Sequence, residues 1–198
     1  MSDAADTVTD VALLDAWRSG DATAGERLVA RHWTSVSRFF RSKIGDDGAD
    51  LISQTFLACV EARDRIEGGN VKAYLFAVAR RRLADHFRKR ARSPAIDVGA
   101  SSVIDLGTGP VTHVSRRQRH ELLRDGLARI PLDDQIALEL AYFEGLSTKD
   151  IAAVLEINEN TVRSRLSRAR EKLREALATL ANSDDAAFAE SQLDEKPR

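Results

Sequence analysis

Residues 144–177 read EGLSTKDIAAVLEINENTVRSRLSRAREKLREAL. Ile151 and Leu155 fall on one face of a first helical segment, and Val162, Leu166, Ala169 and Leu173 recur at i, i+4, i+7 and i+11 of a second. Apolar residues at that spacing line one side of a helix, so the two stripes can share a single small core. Ser147 followed three residues later by Asp150 makes a capping-box-like start, with a shorter acid than the usual Glu or Gln, and Asn158 is the expected N-cap of the second segment. Two short helices, a tight turn and a basic second helix together make a helix-turn-helix.

Rotating about 100° per residue from Val162, the side opposite the stripe carries Asn160, Ser164, Ser167 and Arg168, flanked by Arg163 and Arg165. Asn, Ser and Arg suit base edges in a major groove, and flanking arginines suit phosphates. A lone basic amphipathic helix is usually no more than a solvated surface. The capped helix and short turn before this one shift the reading to DNA.

The chain has 198 residues, 43% of them hydrophobic, enough for one medium or two small packed domains. Its formal charge of −1 conceals a sorting along the sequence. Arg80, Arg81, Arg82, Arg88, Lys89, Arg90 and Arg92 crowd thirteen residues against one acid, Asp85, whereas residues 183–198 hold five acids and two bases. A bulk charge near zero therefore hides a polyanion-binding surface. Cys59 is the only cysteine, which excludes an intrachain disulfide and argues against a thiolate metal cluster. It is expected to be a buried, inert thiol.

The N-terminal MSDAADTVTD lacks the positive and apolar regions of a secretory signal, and no stretch approaches 18 uninterrupted apolar residues. A cytoplasmic protein without a membrane segment is expected. His32, His86, His113 and His120 are scattered, and neither a HExxH spacing nor a GxxxxGK[ST] loop occurs. No enzyme activity, metal or cofactor is expected.

The fold predicted is all-α: two small helical domains joined by a flexible linker, the second containing the helix-turn-helix. Helical patterns cover Asp10 to Ser19, Ala22 to Ile44, Asp46 to Ala62 and Asn70 to Ala91, punctuated by Gly20, Gly45 and Gly68-Gly69. The expected first domain is 10–92. Residues 93–115, rich in Gly, Ser, Thr and Pro, form the linker. The second domain, 116–181, opens with a helix from Arg116 to Arg129, breaks at Pro131 and continues from Asp133 to Phe143 before the helix-turn-helix. Residues 182–198 are an acidic tail, of the right charge to cover a basic face in the free protein.

Two motif sets, in order, carry a family likeness. Asp50-Leu51-Ile52-Ser53-Gln54-Thr55-Phe56-Leu57, then Asn70 through Arg80 and the basic run, resembles region two of bacterial sigma factors; Ile130-Pro131 through Leu173 resembles region four. The chain is similar to extracytoplasmic-function sigma factors, the small sigma-70 group that keeps only these two regions. The likeness covers about Asp10 to Leu180.

The resemblance implies a set of roles. Asp50, Leu51, Ser53, Gln54 and Leu57 would dock on the clamp helices of the largest subunit of core RNA polymerase. The loop from Asp64 to Asn70, with Arg65 and Asn70, would meet a flipped base of the promoter −10 element, and Lys72, Tyr74, Arg80, Arg81, Arg88 and Lys89 would hold the melted strand. An aromatic among cations is what single-strand binding favours. The helix from Glu159 would read the −35 element, with Asn160, Arg163, Ser164, Ser167 and Arg168 reading and positioning and Thr161 and Arg165 on phosphates. Leu138, Leu140 and Phe143 would either touch the flap of the second-largest subunit or be core. An anti-sigma factor is the expected regulator.

Four positions depart from the family pattern. Ser53-Gln54 stands where Gln-Glu is common, Arg81 where Asn is customary, Gly25 where an aromatic is usual, and Glu156 where the turn of the helix-turn-helix usually has glycine. The competing readings are a regulator that binds operator duplex without polymerase and a sigma-like decoy that binds polymerase without starting transcription. Binding to duplex by the free protein would mark the first. Sensor domains of the receiver type need strands and clustered acids, which residues 10–91 do not show.

Overall fold

The computed structural model describes residues 8–66, 70–92 and 113–180, with side chains from 121 onward in the last segment. Linker residues 93–112, the tail 182–198, and residues 67–69 of the expected base-capturing loop lie outside the described residues. The described segments are helical and carry no strand, as the sequence predicts. They gather into two compact units, the first holding α1, most of α2, α3 and α4, the second α5 to α8.

In the first unit α1 spans Asp10–Arg18, α2 Ala22–Ile44, α3 Ala49–Ala62 and α4 Val71–Arg92. Thr9 caps α1 by accepting from the Ala12 amide at 3.3 Å, and the Asp21 carboxylate accepts from the amides of Thr23 and Ala24 at the start of α2. The helix expected from Asp46 begins instead as a 3-10 turn, Gly45–Gly48, before α3 proper. Leu14, Phe40, Phe76 and Ala79 have no more than 1% of their surface exposed. Burial of a large apolar side chain contributes about 1.5–3 kcal/mol. Edge-on contacts of the Phe39 ring with Phe40 (5.5 Å) and Phe76 (5.6 Å) join α2 to α4.

His32 is packed in the unit and bonded to Asp10, the position expected of a structural rather than a ligating histidine. Asp10 Oδ2 lies 2.6 Å from His32 Nε2 and its Oδ1 accepts from Arg31 at 2.8 Å. Burial holds the imidazole below its usual range in spite of the neighbouring carboxylate. Cys59 is buried, and desolvation pushes its thiol up to about 11.

The departure at Gly25 has a steric explanation. A Cβ there would meet Trp17 ring atoms at 2.6 Å, so the indole at the end of α1 fills the space that a side chain on α2 would need. The aromatic bulk is supplied from a neighbouring helix.

In the second unit α5 spans His113–Ala128, three residues ahead of the expected start; α6 is Leu132–Leu138, α7 Thr148–Leu155 and α8 Glu159–Leu180. α5, α6 and α7 each pack on α8. Val162, Leu166, Ala169, Leu173 and Leu177 are buried, the predicted stripe extended by one turn. Gly126 lets α5 approach closely, since a Cβ would come within 2.8 Å of Leu177.

The single helix expected from Asp133 to Phe143 is divided. α6 ends at Leu138 and a π turn covers Glu139–Phe143, closed by Glu144 N–H donating to the Glu139 carbonyl at 3.0 Å. The wider turn re-aims the side chains that follow it. Leu138 and Leu140 are core, at 2% and 0% exposed, while Phe143 remains 39% exposed. Only Phe143 of the three is left to meet a partner.

Candidate nucleic-acid and polymerase interfaces

The helix-turn-helix is built as its caps dictate. Ser147 Oγ accepts from the Asp150 amide at 3.1 Å and donates to the Asp150 carboxylate at 2.6 Å. Asn158 Oδ1 accepts from both the amide and the hydroxyl of Thr161 at 2.8 Å. Between them Glu156 ends α7 in the left-handed region, φ 57° and ψ 41°, while Ile157 N–H donates to the Ala152 carbonyl. Glycine adopts that conformation without penalty, and glutamate does not.

On α8, Asn160, Arg163, Ser164, Ser167 and Arg168 are exposed and form one outward surface. Arg163 pairs with Glu159 and donates to Asn160 Oδ1 at 3.0 Å, so the asparagine carbonyl is engaged. Arg168 Nε donates to the Ser164 carbonyl at 3.3 Å. Thr161 is drawn into the Asn158 cap. Arg165, expected on phosphate, is half-buried and lies 3.1 Å from Asp133 at the start of α6. Two other cations of α8 have partners behind the outward face: Lys172 reaches Asp134 at 2.6 Å, and Arg170 donates to the Tyr142 hydroxyl at 3.3 Å.

The candidate single-strand residues divide by angle around α4. Tyr74, Arg81 and Arg88 fall within about 40° of one another, opposite the deeply buried Phe76, Ala79 and Leu83, and Lys89 lies about 60° from Tyr74 on its other side. Tyr74 is half-buried, its hydroxyl donating to the Ala58 carbonyl of α3 at 3.4 Å. Desolvation raises its phenol, and Arg65 and Arg81 are close enough to oppose that rise. The charges of Arg65 and Arg81 thus reach the Tyr74 hydroxyl, with Cys59 and Glu61 acting in the opposite sense. Arg88 pairs with Asp85 and Lys89 is exposed. Lys72 lies about 160° round the helix from Tyr74, where its charge bears on His32, and Arg80 is about 120° away. Those two do not join the Tyr74 face. Asn70 accepts from the Ala73 amide at 3.1 Å, which makes it the N-cap of α4.

On α3, Asp50, Gln54 and Leu57 share one side at helical spacing, with Ser53 beside them. Gln54 Nε2 donates to Asp50 Oδ2 at 2.6 Å, and Ser53 Oγ donates back to the Ala49 carbonyl. Leu57 is 56% exposed and Leu51 half-buried. The sequence reading missed an apolar neighbour. Trp33, 47% exposed and stacked on Phe56 at 5.3 Å, borders with Val60 and Trp17 a groove of about 430 Å³. A tryptophan one residue off the buried stripe of α2 is the signal that could have found it.

Among the described residues no group of three or more His, Cys, Asp or Glu side chains is arranged to hold a metal, and no helix is long and apolar enough to cross a membrane.

Two family descriptions match this chain: Sigma-70 region 2 over residues 26–93 and Sigma-70, region 4, over residues 120–173. An ECF RNA polymerase sigma-E factor from Haemophilus influenzae is 26% identical over 187 residues, spanning 89% of this chain and 99% of that protein. The ECF RNA polymerase sigma-E factor of Escherichia coli K12 is 26% identical over 177 residues, 84% of this chain and 93% of the relative. Among solved structures, the sigma factor RpoE crystallised with the anti-sigma factor NepR from Bartonella quintana aligns with a TM-score of 0.63 at 26% identity, over 77% of this chain and 96% of that one. CnrH in complex with the cytosolic domain of CnrY has the same fold, with a TM-score of 0.64 at 23% identity over 87% of this chain and 99% of that one.

Proposed function

The chain belongs to the sigma-70 family, in the extracytoplasmic-function group that carries regions two and four, and from that membership we propose that it binds core RNA polymerase and directs it to promoters through two separated elements. The family is one of initiation factors, not enzymes. The observation that carries the reading is the presence, in one chain, of a capped helix-turn-helix with an outward Asn160, Ser164, Ser167 and Arg168 surface and a separate α4 face that bears Tyr74, Arg81 and Arg88.

α8 reads the −35 element, with Asn160 and Ser164 toward base edges and Arg163 and Arg168 on bases or the adjoining backbone. The α4 face holds the opened −10 strand. Opening duplex costs about 1.4 kcal/mol per base-pair step. A factor without nucleotide chemistry offsets that by binding the unstacked strand, and stacking on one aromatic contributes about 1–3 kcal/mol per base. Tyr74 is the aromatic placed for it, with Arg81, Arg88 and Lys89 tracking phosphates.

The α3 side bearing Asp50, Leu51, Ser53, Gln54 and Leu57 docks on the clamp helices of the largest polymerase subunit, and Phe143 on the flap of the second-largest. Residues 93–115, of which 93–112 lie outside the described residues, are assigned as the linker between the domains 10–92 and 116–181. Work on polymerase places the protein in the cytoplasm. Control by an anti-sigma factor is supported by the solved relative RpoE, which was crystallised with one.

Run-off transcription with purified core polymerase over a promoter library tests the reading. Initiation from a subset sharing two spaced elements is the expected result. Stable operator binding by the free protein with no start sites in the presence of core would mark a conventional regulator, and core binding without initiation a decoy.

A further inference from the structure

Arg18 is the last residue of α1, outside every segment assigned above to DNA or polymerase. Its Nε donates to the Arg63 carbonyl at 2.9 Å and its Nη2 to the Ile66 carbonyl at 2.6 Å. The remaining arm, Nη1, lies 3.4 Å from Asp15 Oδ1 one turn earlier, which orients the plane of the guanidinium. One rigid fork therefore spans two carbonyls three residues apart, on either side of Asp64 and Arg65.

Those carbonyls belong to the chain leaving α3 through the 3-10 turn Arg63–Arg65. The final carbonyls of a helix have no amide partner within it, and a cation placed there also meets the negative end of the helix dipole. The stretch is gripped from a second side, because the Arg63 guanidinium lies over the Trp17 ring at 5.8 Å. Ile66, at 3% exposed, is anchored in the core, whereas Arg65 is exposed. The clamp thus fixes the backbone on both sides of an exposed side chain whose charge reaches the Tyr74 hydroxyl.

We propose that Arg18 is a positioning residue for −10 recognition: by holding the Arg63 and Ile66 carbonyls it sets the turn that presents Arg65, and through it the base discrimination of the melted strand. This rests on the single-strand reading of the α4 face. Lysine cannot replace arginine here, since a compact ammonium lacks the flat fork that reaches two fixed acceptors at once.

The test uses full-length protein with core polymerase on a promoter that wild type initiates from, and on its single-base −10 and −35 variants. Arg18→Lys is expected to shrink the ratio between the best and worst −10 base by about fivefold, a coupling of about 1 kcal/mol, with the −35 ratios and polymerase affinity retained. Arg65→Ala should give the same −10 profile, and the double variant should lose no more than either single one. Arg18→Gln, which loses the charge and keeps a single donor nitrogen, should lose at least as much as Arg18→Lys, and thermal melting of each variant checks that it is folded. Unchanged −10 ratios in Arg18→Lys overturn the proposal, as does an equal loss of −10 and −35 discrimination with weakened polymerase binding. Additive losses in the double variant overturn the route through Arg65. If wild type itself shows no −10 preference, or Tyr74→Ala and Arg81→Ala leave that preference intact, the reading of the α4 face fails, a result separate from any effect of Arg18.

Discussion

Trp17 lies against Gly25 so closely that a Cβ on the glycine would sit 2.6 Å from two atoms of the indole. Ordinary helix propensity favours alanine over glycine by about 1 kcal/mol inside a helix. Overpacking a core costs about 1–3 kcal/mol, and it prevails here because the added methyl would meet a large, flat ring. Gly25→Ala is expected to lower the stability of the first unit, and Trp17→Leu combined with Gly25→Ala to recover part of the loss. Urea unfolding of the two single variants and the double variant checks this, with non-additivity as the expected outcome.

Glu156 holds a left-handed conformation in the turn between α7 and α8. Glu156→Gly is expected to stabilise the second unit by about 0.5–1 kcal/mol, the left-handed penalty less the extra unfolded-state entropy of glycine. Thermal melting measures it. Glu156→Val, β-branched at the same φ, should move the midpoint the other way.

The two residue types on the outward face of α8 are expected to behave differently. Asn160→Ala should alter preference at one or two −35 positions, at about 1–3 kcal/mol for the affected base. Arg168→Ala should weaken binding across sequences if its contact is to phosphate, reducing the slope of log affinity against log salt by about one. Holoenzyme binding to promoter variants at several salt concentrations separates the two patterns.

Cys59 is buried and its thiol is held near 11 by desolvation. The thiolate is the reactive species, so at pH 8 the folded protein should be alkylated by iodoacetamide far more slowly than the urea-unfolded chain. Mass spectrometry of the time course reads the ratio. Equal rates would place the thiol at the surface.

The helix-turn-helix was legible because three independent signals coincided. Val162, Leu166, Ala169 and Leu173 kept their period, Ser147 and Asn158 supplied caps, and the turn was short; all of these appear in the structure. The π turn at Glu139–Phe143 was not legible, since one wide turn leaves no mark on an apolar pattern of that length. Counting cations from Lys72 to Lys89 as one surface ignored their angles, and residues two apart on a helix face nearly opposite ways. Lys72 accordingly bears on His32, not on the Tyr74 side. The ion pair of Arg165 could not have been read from its own helix, because its partner Asp133 is supplied by the start of α6. Arg18 escaped notice for a related reason: it acts on backbone carbonyls, which carry no residue signature.

The pairing of Arg165 with Asp133 and of Lys172 with Asp134 makes α8 electrically lopsided. Arg165 and Lys172 are matched by carboxylates from α6 and Arg163 by Glu159, so the long-range pull of a polyanion acts mainly through the front at Arg168, whose bond is to a backbone carbonyl. A torque then turns the domain toward DNA during diffusion, ahead of any contact. Removing the two aspartates would leave the contact chemistry of the front untouched and still lengthen the search, as more encounters would begin facing the wrong way.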